Sequence, residues 1–331
     1  HGIPIVVKDN IDTKDKMHTT AGSLVLKNHF AKEDAFLVKQ LRDAGAILLA
    51  KANLTEWANF ITQGMPTGYS SLGGQTINPY GKEFMVGGSS AGTGASVAAN
   101  LAVAGIGTET SGSILSPASQ NGLVGIKPTV GLISRSGVIP ISSTQDTPGP
   151  MTRTVEDAAS LLTVLQGVDE KDPVTGSNPL LSKDFMNFLD KEGLKGKRIG
   201  VLRLPYFGYV EEEKQRIVDL AISDIEALGA TIVEGVHIPT QEHQWSIDVM
   251  LYEFKAAIEH YLNSVDDPNL VTLNDLIHAN RAIGSRALKY GQTLFMRAEA
   301  TSGKLTDPEY LRALVHDQKY AGAQGIDALM E

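Results

Sequence analysis

The sequence predicts an α/β fold, and two stretches of alternating pattern within its 331 residues carry that prediction. Near the start, the apolar, β-branched run Ile3 to Val7 is followed by Phe36, Leu37, Leu41 and Ala44 at helical spacing. The triplet Ile47-Leu48-Leu49 then reads as a buried strand. Further on, Arg198 to Leu202, a periodic stretch over 211–228 and Ala230 to Val233 repeat strand, helix, strand. Such a β-α-β unit is expected to pair its strands in parallel with a right-handed crossover. The length allows roughly two domains of ordinary size, or one large domain with an elaboration.

Each element has a local reason. Gly45 stops the helix over 33–44, because glycine accepts the backbone conformation that ends a helix. Gly and Ser are so dense over 64–94 that regular structure is expected only from about Ala91. From there Ala95, Val97, Ala98, Leu101 and Ala104 predict a tightly packed helix of small residues. A second Gly/Ser/Thr segment, Gly105 to Ser116, and a turn-rich stretch from Gly122 to Pro150 follow. Helical pattern returns over Val155 to Leu165, with Thr154 and Asp157 spaced as a capping pair. The Asp, Pro, Gly, Ser and Asn clusters of 167–195 mark a boundary or a long surface excursion. The helix over 211–228 sets Ile217, Leu220, Ala221, Ile225 and Leu228 on one face, and helices are expected near 247–262, 273–290 and 307–330.

Composition removes several functions. There is no cysteine, so disulfides, thiolate nucleophiles and cysteine-ligated metals are excluded, and any nucleophile is an oxygen or an amine. Against 38 acidic residues stand 29 basic ones, with no basic run of five, which argues against nucleic acid as a partner. No apolar stretch reaches the roughly 18 residues that span a bilayer. The chain opens at His1 without an initiator Met or a signal-like segment. It reads as an internal start, with a cytoplasmic setting as the expectation and the oligomeric state unreadable.

Three features could carry chemistry: Lys8-Asp9-Asn10 directly after the first strand, Gly87-Gly-Ser-Ser-Ala-Gly-Thr-Gly-Ala95, and Gly107-Thr-Glu-Thr-Ser-Gly-Ser-Ile114. Alone, each has a plain structural reading, as a strand terminus or as loops permitting close packing. The phosphate-binding loop is excluded, since no Gly-Lys pair is followed by Ser or Thr. Gly88-Ser-Ser-Ala-Gly92 satisfies Gly-x-Ser-x-Gly and would make Ser90 an exposed nucleophile, yet that elbow requires a strong strand before it, and Lys82 to Val86 is a weak one. The eight histidines form no close ligand pair, so no metal and no cofactor are expected.

In order, strand-Lys8-Asp-Asn, Gly-Gly-Ser89-Ser-Ala-Gly, Gly-Thr-Glu-Thr-Ser-Gly-Ser113-Ile and Gly-Leu-Val-Gly-Ile-Lys-Pro-Thr129 resemble the amidase signature family. The resemblance is dense over 1–165 and looser beyond. It implies an α/β/α fold with a central mixed sheet flanked by helices, truncated at both ends. It also implies one domain over 1–331, with a catalytic signature core at 1–165 and a β-α-β unit plus mainly helical substrate-funnel region at 166–331. Carried across, Ser113 is the nucleophile, Ser89 the bridging serine after a cis Gly88-Ser89 peptide, and Lys8 the base. The main-chain N–H groups of Thr110, Ser111, Gly112 and Ser113 form the oxyanion hole. Asp9, Asn10 and Glu109 are expected to fix loops.

The resemblance therefore implies an amidase that hydrolyses a carboxylic amide through an acyl-enzyme, with a small molecule or a peptide amide as partner and neither nucleic acid nor membrane. Leu115 stands where many members, including the A subunits of tRNA-dependent amidotransferases, carry Arg. That departure speaks for a stand-alone amidase of the peptide-amidase type, as does Glu253-Phe-Lys255 in an expected helix. An amidotransferase A subunit and an inactive truncated fragment are the alternatives.

Overall fold

The computed structural model describes residues 2–331. Its strands are β1 (Pro4–Lys8), β2 (Ile47–Ala52), β3 (Tyr69–Ser70), β4 (Gly74–Gln75), β5 (Ala104–Glu109), β6 (Val124–Gly125), β7 (Thr147–Thr152), β8 (Arg198–Gly200) and β9 (Thr231–Val233). The helices are α1 (Phe36–Asp43), α2 (Ala91–Ala98), α3 (Leu115–Gln120), α4 (Val155–Leu165), α5 (Glu212–Ala227), α6 (Asp248–Leu262), α7 (Leu273–Ile283), α8 (Thr293–Glu299), α9 (Pro308–Asp317) and α10 (Asp327–Met330). The chain divides into two compact units, His1–Met186 with Val249–Leu305, and Asn187–Asp248 with Thr306–Glu331.

The first unit is built on a five-stranded sheet in the order β2-β1-β5-β7-β6. β1 is parallel to β2 and β5, whereas β7 is antiparallel to both β5 and β6, so the sheet is mixed. Alternation along β1 sorts its side chains between two layers. Ile5 and Val7 join Ile106 in a core with Leu37 and Leu41 of α1 and Leu162 of α4. Val6 faces the other way, with Val97 of α2. The result is an α/β/α sandwich, as the resemblance implied. Burial of each such aliphatic side chain contributes about 1.5–3 kcal/mol.

Four elements differ from the sequence reading. β2 is a strand but an edge one, and Ile47 and Leu49 are exposed. The small-residue helix stops at Ala98, and Asn100 takes a left-handed φ of 58°. Leu101 is exposed, and Ala104 opens β5, which occupies the Gly/Thr stretch from Gly105 onward and is buried throughout. Glycine is needed there: a Cβ on Gly105 would lie 2.5 Å from Thr93 Cγ2. In β7 two prolines sit inside a sheet. The carbonyl of Pro150 accepts from Ile126 N–H at 3.1 Å on the β6 side, so its missing donor points there too, and the β5 ladder is spared.

Other expectations hold in part. The Thr154 hydroxyl caps α4 by accepting from the Asp157 N–H. In the second unit β8 and β9 are parallel and joined through α5. The apolar face expected for α5 is largely open: none of its residues is fully buried, Ile225 is half-buried, and Ile217, Leu220 and Leu228 are exposed. The C-terminal helical stretch passes from α9 through a π-helical segment, Gln318–Ile326, into α10.

Candidate active site

The site lies at the C-terminal ends of β1 and β5, where parallel strands of open α/β sheets commonly present their chemistry. Lys8 is the last residue of β1 and is fully buried, 0% exposed. Two residues after Val6, it starts from the face that carries α2, and Ser89 stands just before that helix. Lys8 Nζ lies 2.7 Å from Ser89 Oγ, 2.8 Å from Thr108 Oγ1 and 3.1 Å from the Thr108 carbonyl. An ammonium donates to all three; a neutral amine donates to two and accepts a hydrogen bond from the serine O–H. Burial pulls the lysine down from 10.5 to about 7, with Asp146 and Glu109 opposing through their charge. The pocket thus holds the amine close to the balance point a general base requires.

The Gly88–Ser89 peptide is cis, as the resemblance implied. The Ser89 carbonyl accepts from Thr55 N–H at 2.9 Å, and Gly88 leaves no room for a side chain against Thr55 Oγ1. Ser113 is 8% exposed, and its carbonyl accepts from Ser90 N–H at 3.1 Å, which ties the two Gly/Ser segments together. The hydroxyl of Ser113 makes no hydrogen bond among the described residues. Nucleophile contacts of this kind are often formed only once substrate is bound. Ser90 is not the exposed nucleophile of an elbow: it is fully buried, and its hydroxyl bridges the carbonyl and N–H of Thr108 at 3.2 and 3.3 Å.

The turn before Ser113 is organised by Glu109. Its buried carboxylate accepts from the N–H groups of Gly112, Ile114 and Leu115 at 2.8, 2.7 and 3.0 Å. Glu109 thus fixes the loop, as expected, and in doing so engages one of the four N–H groups that the resemblance assigned to an oxyanion hole. The N–H of Gly112 is already donated to this carboxylate. The N–H groups of Thr110, Ser111 and Ser113 donate to no protein group among the described residues. Gly112 serves the turn differently, through its φ of 79°.

Two residues escaped the sequence reading. Thr108, tied to Lys8 and also to Asn10 Nδ2 at 3.0 Å, lies in a strand that looked like a loop. Asp146, whose carboxylate accepts from Thr110 Oγ1 at 2.5 Å, is separated by 36 residues from that partner. Its position just before β7 would have signalled it only had β7 been recognised. Asn10 holds Thr108, while Asp9 lies 3.6 Å from Lys51 and accepts from Thr20, consistent with fixing a loop. Glu253 on α6 is buried and accepts from Ser142 Oγ at 2.5 Å. No described helix is long and apolar enough to cross a membrane, and among the described residues no group of three His, Asp or Glu is placed to hold a metal ion.

Fold and site together define a mixed α/β protein with a serine–lysine pair at the ends of its parallel strands. The amidase family matches residues 1–329, and the chain belongs to it. A protein of Arabidopsis thaliana described as a probable amidase is 40% identical over 341 aligned residues, which cover 100% of this chain and 64% of the plant protein. The peptide amidase of Stenotrophomonas maltophilia superposes with a TM-score of 0.94 at 47% identity, covering 100% of this chain and 67% of that one. The A subunit of glutamyl-tRNA(Gln) amidotransferase from Thermotoga maritima superposes with a TM-score of 0.69 at 31% identity, covering 98% and 66%. The chain therefore spans about two thirds of the length of these relatives.

Proposed function

We propose that the chain carries the catalytic site of an amide hydrolase, with Ser113 as nucleophile, Ser89 as proton relay and Lys8 as base. The observation that carries this reading is the fully buried Lys8 held 2.7 Å from Ser89 Oγ. Ser113 Oγ attacks the amide carbonyl carbon, and its proton passes through the Ser89 hydroxyl to the neutral Lys8 amine. The carbonyl oxygen, now negative, is held by the N–H groups of Thr110, Ser111 and Ser113, each such donor contributing on the order of 3 kcal/mol. Lys8 returns the proton through Ser89 to the departing nitrogen, the C–N bond breaks, and an ester on Ser113 remains. Water, activated by the same base, hydrolyses that ester.

The likeness to the Stenotrophomonas enzyme favours a peptide C-terminal amide as substrate. Leu115, in place of Arg, favours a stand-alone enzyme over an amidotransferase subunit. Fluorophosphonate treatment of the folded protein, followed by peptide mass spectrometry, tests the nucleophile. An adduct on Ser113 that disappears in Lys8→Ala is expected. Ammonia release from peptide amides is expected to fall as pH drops below about 7, the value at which Lys8 takes up its proton. An adduct on Ser90, or a rate flat down to about pH 5, overturns the assignment; a folded protein without any adduct speaks for the inactive fragment.

A further inference from the structure

Behind the serine loop lies a buried carboxylate that the mechanism above does not use. Asp146 Oδ1 accepts from Thr110 Oγ1 at 2.5 Å, while Oδ2 accepts from the N–H groups of Ile141 and Ser142 at 2.7 and 2.9 Å. The Asp146 N–H closes the turn on the Ser142 carbonyl at 3.0 Å. Thr110 provides one of the three free N–H groups of the oxyanion set, and Thr108, two residues earlier, holds Lys8. Asn10, Thr108, Thr110 and Asp146 line one cavity of about 10 Å³. The carboxylate thus stands against the oxyanion end of the loop and near the lysine's own partner.

We propose that Asp146 is a positioning residue of this site: it fixes Thr110 at the oxyanion end of the serine loop and sets a negative charge in the cavity it shares with Thr108, the partner of Lys8. The proposal rests on the Ser113–Lys8 reading. Removing the Thr110 bond frees the loop end that presents the donors, and hydrogen bonds to a charged acceptor are among the stronger ones. The charge acts separately. Lys8 faces the carboxylates of Asp146 and Glu109, both of which favour its ammonium form. Asp146 in turn faces Arg135, and Glu253 lies beyond Ser142. Burial pushes Asp146 up to about 6, below the value of about 7 for Lys8, so most of its charge is present where Lys8 loses its proton. Without that charge Lys8 loses its proton more readily, and the acid limb of activity moves to lower pH.

The test compares the wild-type protein with Asp146→Asn, Thr110→Val and Thr110→Ser, measuring the rate of fluorophosphonate labelling at Ser113 from pH 5 to 9. Asp146→Asn is expected to label ~10-fold or more slowly, with its acid limb shifted down on the order of one pH unit. Thr110→Val is expected to lose rate with the limb in place, and Thr110→Ser to recover it. An Asp146→Asn protein that matches wild type overturns the proposal, as does one that is slower with an unmoved limb. Should Asp146→Asn not fold by circular dichroism, Thr110→Val decides: wild-type labelling overturns the proposal, and a loss rescued by Thr110→Ser supports it. Wild-type protein that is folded yet unlabelled at Ser113 refutes the underlying reading itself, and the proposal with it.

Discussion

Lys8 shows what a buried base costs the fold. Its side chain is enclosed entirely, and burial brings it from 10.5 to about 7. A lysine whose folded value is depressed contributes stability that is present above its unfolded value and lost as pH falls through the folded one. Relative to Lys8→Met, the wild-type protein should therefore lose stability between about pH 10.5 and 7, on the order of 5 kcal/mol in all, and no more below that. Denaturant melts of both proteins across this range check it; parallel curves would refute the buried, depressed lysine. The three proposed triad residues were legible because short Gly/Ser motifs recur in fixed order around them. Thr108 and Asp146 were not, since a threonine in a Gly-rich run and an aspartate in a turn look the same whether or not they touch a lysine or an oxyanion loop.

At the level of elements, the motif glycines turn out to be contact surfaces as much as hinges. Gly92 of α2 lets the helix rest on β2's exit: its N–H donates to the Asn53 carbonyl at 2.8 Å, and a Cβ there would lie 2.4 Å from that same oxygen. Because the clash is with backbone, Gly92→Ala cannot be absorbed by a rotamer change. It should destabilise the fold by about 1–3 kcal/mol or more and slow Ser113 labelling, because α2 carries Ser89 at its start. Thermal melts read alongside labelling rates test both effects. The same glycines hid β5 from the sequence reading. Propensity rates Gly-Ile-Gly-Thr poorly as a strand, yet in the sheet centre the absence of side chains is what admits Thr93 and Ser90. The prolines of β7 misled in the same way, because only the finished ladder reveals which side lacks its donors.

Considered whole, the chain places its burial unevenly. The first unit encloses the sheet, the serine loop and the Glu253–Ser142 contact, whereas α5 in the second unit leaves Ile217 62% and Leu220 64% exposed. Helical periodicity had marked those residues as a core face. Periodicity reports which side is apolar, and not whether anything packs on it, so that part of the reading could not be completed from sequence. Changing Ile217→Lys and Leu220→Glu together should alter unfolding free energy by less than about 0.5 kcal/mol per site while lowering light scattering at high protein concentration. A large loss of stability would mean that the face is in fact covered.

The prolines of β7 also decide where the sheet is able to grow. On the β6 side, Pro148 and Pro150 offer no N–H, and β6 itself pairs through only two residues, so an arriving strand finds few donors to ladder onto. β2 closes the opposite end with six residues, no proline, and Ile47 and Leu49 standing in the open. The two margins of the sheet thereby differ in what they offer an arriving strand: few backbone donors beside β6, and a six-residue strand without proline at β2.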